Sequence, residues 1–306
     1  RGLGDVYKGQ GRAGGRHRFA RDPGRIASAR MKLNDDTTER APTPPRDARL
    51  PAGVRELALF GLALLAYQAS RALVIGDAAG AVRHAWNVID LERAAGIFWE
   101  PAIQGWATEH PGLVRGLNAV YLLAHLPVTA VFFVWLWRSR RDRYRVVRNG
   151  FLAANAIALT VFVAFPVAPP RLAGADGLVD TLRQASGVDL HGGPLASLFN
   201  PYAAVPSMHF GYALLVGAGL AALGRRPLVR VIAPLYPALV FLTIVATGNH
   251  FVLDAVGGGL VMGAGVAAAL AAARAGVGAP GWPSLGSRWP TPARRFLGSP
   301  SSTSSR

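Results

Sequence analysis

The chain has 306 residues, with 33 basic against 17 acidic side chains (formal net charge +16); 51% of residues are hydrophobic, 16% are charged and none is cysteine. A charged share well below the roughly 25% of soluble domains, with a mean hydropathy of +0.26, argues against a soluble globular enzyme. The lack of cysteine excludes a disulfide framework, a thiolate metal site and a cysteine nucleophile. A high pI also fits nucleic-acid binding. The arginines, however, cluster at the chain ends and in short stretches between apolar blocks, as in a membrane protein with a positive inner side.

Residues 1–53 are basic, polar and rich in Gly and Pro, and read as a disordered tail. The first methionine is Met31, which makes residues 1–30 candidates for an upstream translated segment. Gly9, Gly11 and Gly14 form a G-x-G-x-x-G with no strand before it and no helix after it, so it reads as chance. Six apolar blocks follow, at about 57–76, 117–137, 150–168, 206–224, 231–247 and 253–273. Each is near the ~20 residues that cross a bilayer. Pro234 and Pro237 should bend the fifth block. Gly259 and Gly263 in the sixth have G-x-x-x-G spacing, read as generic small-residue packing. No cleavable signal peptide is recognisable, so the first block is expected to stay in the protein. The expected fold is an all-α membrane protein: a six-transmembrane-helix bundle over 54–274, with a disordered tail over 275–306.

The stretch 138–149 carries Arg138, Arg140, Arg141, Arg143, Arg145 and Arg148 against Asp142 alone, and 224–230 carries Arg225, Arg226 and Arg230 with no acid. With Arg274 after the last block, these stretches share a side if six spans alternate, and that side should be cytoplasmic. Both termini then lie in the cytoplasm of a plasma-membrane protein. The loops 77–116, 169–205 and 248–252 lie outside. Region 88–106, with Leu91, Phe98, Trp99 and Trp106, reads as an interfacial helix in the first outer loop.

Three polar stretches meet the outer boundary: Pro169-Pro170-Arg171, Pro206-Ser207-Met208-His209, and Gly248-Asn249-His250 running to Asp254. His250 and Asp254 are four apart, so on a helix they share a face. A carboxylate on one imidazole nitrogen makes the other more basic, as a histidine nucleophile requires. The alternative is a polar helix-end pair. Pro206 suits a first helical turn, whose free N–H groups favour phosphate. Ser207 adds a hydroxyl, and His209 can act as a general acid. The alternative there is an ordinary helix cap. Arg171, after two prolines, either clamps a phosphate or snorkels to headgroups. His125, inside the second block, reads as a neutral imidazole bonded to a neighbouring helix, while His84 and His110 read as solvated. No acidic cluster suits Mg²⁺ and no histidine pair has zincin spacing, so no metal or cofactor is expected.

The order Arg, P-S-x-H, H-x-x-x-D resembles the type-2 phosphatidic acid phosphatase superfamily of six-helix membrane proteins. A-P-P-R at 168–171, V-P-S-M-H at 205–209 and G-N-H-F-V-L-D at 248–254 resemble its inositol-phosphorylceramide synthase (aureobasidin-resistance) branch. Phe98-Trp99-Glu100-Pro101 and Gln104 extend that likeness. The resemblance implies lipid phosphoryl or phospho-headgroup transfer through a phosphohistidine. His250 would be the nucleophile, Asp254 its orienting carboxylate and His209 the proton donor. Arg171, Ser207 and the Met208 backbone N–H would hold the phosphate. The substrate would be a phosphorylated lipid, with an alcohol or lipid acceptor; lipid-phosphate or polyprenyl-pyrophosphate hydrolysis is the alternative, and a non-catalytic membrane module the second. The superfamily's first-motif lysine is replaced here by Ala164, the proline after its arginine by Leu172, the second-motif glycine by Met208 and the third-motif arginine by Ile244. Two phosphate-binding cations are thus missing, and Arg183, His191, Asn200, Tyr202 and Asn249 are candidates to fill in. A phosphodiester, with one negative charge, needs fewer clamps.

Overall fold

The computed structural model describes residues 51–74, 77–175, 177–190 and 200–276. The expectations for the two tails, the glycine motif and His191 lie outside these residues. The described residues fall in the compact unit that begins at Gly53, apart from its first two. They form helices joined by short turns, with one isolated bridge, Val167 to Ala203.

The first helix, α1 (Ala52–Val74), starts five residues before the first apolar block. Next come α2 (Ala78–Ala95) and α3 (Glu100–Thr108). Asp77 caps α2 by accepting from the Gly80 N–H, and Gly96 ends it in the left-handed conformation (φ 70°). The expected single helix over 88–106 is therefore two helices parted at Gly96. The second block is split into α4 (Pro111–Leu123) and α5 (His125–Ser139), bent by 48°. Pro127 explains the break, because its ring opposes the carbonyl four residues back, at Leu123.

The basic stretch 138–149 is helical on both sides of Arg140, since α6 (Arg141–Ala164) begins among its arginines. Helix continues because arginine is a good helix former, and its long side chain keeps the charge in water. Two short helices follow, α7 (Pro170–Ala173) and α8 (Thr181–Ser186). Then come α9 (Met208–Leu223), α10 (Pro227–Ile232), α11 (Leu235–Ala246) and α12 (Val252–Arg274). The break between α10 and α11 falls at Ala233-Pro234.

By length and composition, three stretches can cross a membrane: Arg141–Ala164, Pro227–Ala246 and Val252–Arg274. The count rises to five if each bent pair, α1 with α2 and α4 with α5, is one span. Helix α9 is apolar but only 16 residues long. Leu62, Leu65, Leu73, Val131 and Leu260 are each more than 60% exposed, as lipid-facing side chains are. These features describe a multi-pass membrane protein.

Helix α12 is the central element, lying against α6, α9 and part of α2. Its buried side presents Gly258, Met262, Gly265 and Ala269, spaced three or four apart. A Cβ on Gly265 would collide with the Gly150 carbonyl and the Ala154 backbone of α6, and one on Gly258 with the Ser207 carbonyl. Close backbone approach, not side-chain burial, joins these helices. The Gly259–Gly263 pair is not that contact: nothing lies within 4 Å of a Cβ at Gly263.

The ends of the bundle differ. The Arg140 guanidinium donates twice to the Leu223 carbonyl, at 3.0 and 2.7 Å, so the turns after α5 and α9 meet. Arg148 pairs with Glu56 near the start of α1. His209 lies at the other end of α9, which is about 24 Å long at 1.5 Å per residue.

Candidate active site

Arg171, His209, His250 and Asp254, which span 84 positions of sequence, converge at the end of the bundle away from the Arg140 turn. Helix α11 stops at Gly248, whose φ of +68° reverses the chain. A Cβ there would also press on the Gln104 side chain, 2.5 Å away. The Gly248 carbonyl accepts from the Arg171 N–H at 3.0 Å, which seats the Pro169-Pro170-Arg171 strap on this turn.

His250 thus stands in the turn before α12, while Asp254 lies in the helix's first turn. The two do not share a helical face as the spacing implies. They meet because Asp254 folds back. Its Oδ2 accepts from the Phe251 N–H at 2.9 Å and approaches His250 Nδ1 at 3.2 Å. The closer partner of Nδ1 is the Ala204 carbonyl, at 2.9 Å. Two acceptors on Nδ1 fix the proton there and leave Nε2 bare. His250 Nε2 is buried and has no partner. Burial also pushes this imidazole down to about 4, so it is neutral near pH 7. A neutral imidazole with a bare Nε2 is the nucleophilic form.

The His209 ring centroid lies 5.5 Å from that of His250. His209 is held between Tyr121, stacked at 4.3 Å, and His125, at 3.9 Å. Its Nε2 is likewise buried and unpartnered. His125 Nδ1 faces the Tyr121 carbonyl of α4, four residues back in the same bent pair, at 3.3 Å, and its ring meets His209 of α9. His84 is not simply solvated; it bonds the Pro166 carbonyl at 2.8 Å and stacks on Phe165.

Arg171 donates from Nε to Asn249 Oδ1 at 2.9 Å and from Nη1 to Asp180 Oδ2 at 2.8 Å. Its Nη2 is uncommitted among the described residues. Asn249 completes the chain by donating to Thr247 Oγ1 at 2.8 Å. Both polar atoms of Asn249 are therefore engaged, and it steadies Arg171 instead of facing the cavity with a free group. Pro206 is not in the first turn of α9: it precedes the cap, in a cis peptide bond after Val205. Ser207 is the fully buried N-cap, with Oγ accepting from the Phe210 N–H, and the helix begins at Met208. Its hydroxyl hydrogen remains to donate.

Of the fill-in candidates, Arg183 is exposed and its N–H serves the Asp180 cap. Asn200 Oδ1 accepts from the Tyr202 N–H. Ile244, where the superfamily has a cation, is fully buried among apolar neighbours. Arg171 is the one buried arginine among the described residues.

Two carboxylates escape sequence reasoning. Glu100 Oε1 accepts from the Val252 N–H and Glu92 Oε1 from the Leu253 N–H, each at 2.6 Å. With Asp254 on Phe251, three successive N–H groups at the start of α12 each meet a different buried acid. Desolvation raises Glu100 above the usual carboxylate range. The Glu92 and Glu100 side chains are within hydrogen-bonding reach of each other, and each has a buried Oε2 without another partner. One proton shared between them satisfies both. The only sequence sign was the F-W-E-P stretch.

A cavity of about 810 Å³ opens beside the histidines. Arg171, Met208, His209, Asn249 and His250 line one end, and Phe60, Phe133, Phe151 and Trp137 line its depth. The site thus combines a cation, two imidazoles with unpartnered Nε2 atoms, 5.5 Å apart between ring centroids, and an apolar chamber. This combination can bind an amphiphilic phosphate and attack its phosphorus.

A family model of the PAP2 superfamily matches residues 86–268, more than half of the chain. No curated protein and no solved structure matches it. The chain belongs to the PAP2 superfamily, whose members are generally phosphatases or phosphotransferases acting on lipid phosphates.

Proposed function

We propose that this protein is a membrane phosphotransferase of the inositol-phosphorylceramide-synthase type, moving a phospho-headgroup from a lipid phosphodiester to an alcohol acceptor. His250 Nε2 forms a bond to phosphorus as the bond from phosphorus to the donor lipid's oxygen breaks. His209 delivers the proton to that oxygen. The acceptor hydroxyl then gives its proton back to His209 while its oxygen attacks phosphorus, and the P–N bond breaks. Asp254 and the Ala204 carbonyl hold the Nδ1 proton throughout. Arg171 Nη2, Ser207 Oγ and the Met208 N–H hold the phosphoryl oxygens, and Asn249 and Asp180 aim the guanidinium. No metal takes part in this scheme.

The observation that carries the reading is the single buried guanidinium, already paired with Asp180. One half-neutralised cation matches a diester's single charge better than the nearly double charge of a monoester. Burial of both Nε2 atoms adds to this, because a dry site favours a bound alcohol over water. A six-span topology, counting α9 as a span and α2–α3 as an interfacial cap, would place the basic turns in the cytoplasm and the site at the outer leaflet of the plasma membrane. The Arg140–Leu223 contact supports it by bringing two basic turns to one end.

The test is turnover by purified protein in mixed micelles with EDTA, comparing wild type and His250→Ala on labelled phosphatidylinositol, phosphatidate and polyprenyl pyrophosphate, with and without alcohol acceptors. A new phosphodiester formed only with an acceptor is the expected product. Release of free phosphate or pyrophosphate without an acceptor would make it a hydrolase. Equal turnover by the variant would remove His250 from the chemistry.

A further inference from the structure

The cavity does more than adjoin the histidines. Its lining follows α1 from Gly53 to Tyr67, about 21 Å at 1.5 Å per residue. Its volume lies in the upper part of the range of roughly 300–1,000 Å³ seen for small-molecule sites. The walls are mostly apolar. Asn155 and Tyr212, polar groups in its depth, are hydrogen-bonded to each other, and Glu56 at the far end is committed to Tyr144 and Arg148. Among the described lining residues, the buried polar atoms without a partner are His209 Nε2, His250 Nε2 and Asn200 Nδ2. A ligand that fits is therefore a phosphate headgroup on a hydrocarbon chain.

The cavity is also open at its side. Gly53, Leu57 and Leu64 on α1 line it and are exposed, and so are Leu126, Ala130 and Val134 on α5. The α5 residues recur every four positions and the α1 residues at four and seven, so each set forms one edge along a helix. Two such edges, each facing both the chamber and the outside, border a slit. Helix α1 is tied across the chamber by few side chains. Glu56 reaches Arg148 and Tyr144, the Phe60 ring meets Phe133 and Phe151, and the Tyr67 hydroxyl accepts from the Asn200 N–H.

We infer that the slit between α1 and α5 is a lateral portal, through which the hydrocarbon chain of the lipid phosphate enters from the bilayer and occupies the chamber while its phosphate reaches His250. This rests on the proposed function, because the occupant's headgroup is that reaction's substrate. The apolar chain never crosses water, and the phosphate slides along the edges to the end that holds Arg171 and the unpartnered imidazole nitrogens. The chamber then selects for chain, as Arg171 selects for charge.

The absence of native cysteine makes a clean test possible. Ala130→Cys on the portal and Leu260→Cys on an exposed face of α12 are each modified with a benzyl methanethiosulfonate, then released with reductant. Each labelled protein is compared with the same variant unlabelled. The substrates are long-chain phosphatidylinositol in mixed micelles and a six-carbon-chain phosphatidylinositol dissolved as monomer, both with an alcohol acceptor. Labelling at position 130 should cut long-chain turnover at least tenfold and short-chain turnover less than twofold, with recovery on reduction. Labelling at position 260 should change neither. Unchanged long-chain turnover at 130, or equal loss with both substrates, would overturn the portal. Absence of turnover of either substrate by unlabelled wild type would instead remove the proposed function, and the portal with it.

Discussion

The surroundings of His250 and those of α1 are built in opposite ways. Around His250, polar atoms are locked in pairs: Nδ1 on Ala204 and Asp254, Arg171 on Asn249 and Asp180, and the first N–H groups of α12 on Asp254, Glu100 and Glu92. Around α1, a chamber separates the helix from α5 and α6, and a few side chains span it. The rigid region holds its groups in place and leaves both reactive Nε2 atoms unpartnered. The loose region leaves room. Reaction geometry tolerates little displacement, while a hydrocarbon chain needs volume more than direction.

The largest effect should come from deleting the central atom of the rigid region. His250→Ala is expected to lower kcat by about 10⁴-fold or more in the mixed-micelle assay, since it removes the nucleophile of the proposed scheme. Arg171→Lys comes next, at roughly 10²–10³-fold, because an ammonium cannot hold Asn249, Asp180 and a phosphate oxygen from one planar fork.

Third is Glu100→Leu. It leaves the Val252 N–H and the Glu92 carboxyl without partners, at a cost of about 1–3 kcal/mol. If Glu100 positions His250 through α12, kcat falls roughly tenfold to a hundredfold with KM unchanged. Glu100→Gln, which keeps an acceptor for Val252 and a donor for Glu92, should restore it. A merely structural glutamate would lower the melting temperature and leave the kcat of the surviving protein alone.

The rigid region also sets a pH dependence. His250 is depressed to about 4 in the fold, against an ordinary value near 6.5. Its nucleophilic form should therefore persist well below pH 6.5 and be lost as pH falls through about 4. Between those values the unfolded chain binds the extra proton and the fold does not, so His250's contribution to stability falls as pH falls. Detergent-phase melting from pH 7 to 4 and the kcat/KM profile check both signs. The smallest effect on chemistry should come from Gly265→Ala. It crowds α6 and should lower the melting temperature through about 1–3 kcal/mol of overpacking, with kcat within about twofold.

Much of the rigid region was legible in the sequence because its residues are chemically rare in apolar surroundings. A histidine or arginine at a membrane boundary stands out, and turn residues such as Gly248 and Pro170 mark where the chain brings such groups together. Glu92 and Glu100 were not legible. Their partners lie 161 and 152 residues away, and an acid in a polar stretch looks solvated until the helix N-terminus it caps is known. Which glycines of α12 make its close contacts was not legible either, for a related reason. Gly257, Gly258, Gly259, Gly263 and Gly265 crowd one helix, so spacing alone cannot say which of them meets a neighbour. The chamber had no sequence signature, because a phenylalanine facing a cavity and one facing a core read alike.

The proposed chemistry passes through a covalent intermediate on His250, and trapping that intermediate tests it. Wild type and His250→Ala would be mixed with phosphorus-labelled phosphatidylinositol without acceptor, quenched in alkaline detergent within one turnover and digested for peptide mass mapping. Label on the peptide containing His250 in wild type, stable to alkali, lost in acid and absent from the variant, is the predicted result. Turnover of the same lipid by wild type with no label on the protein at any quench time, or label that survives His250→Ala, would contradict it.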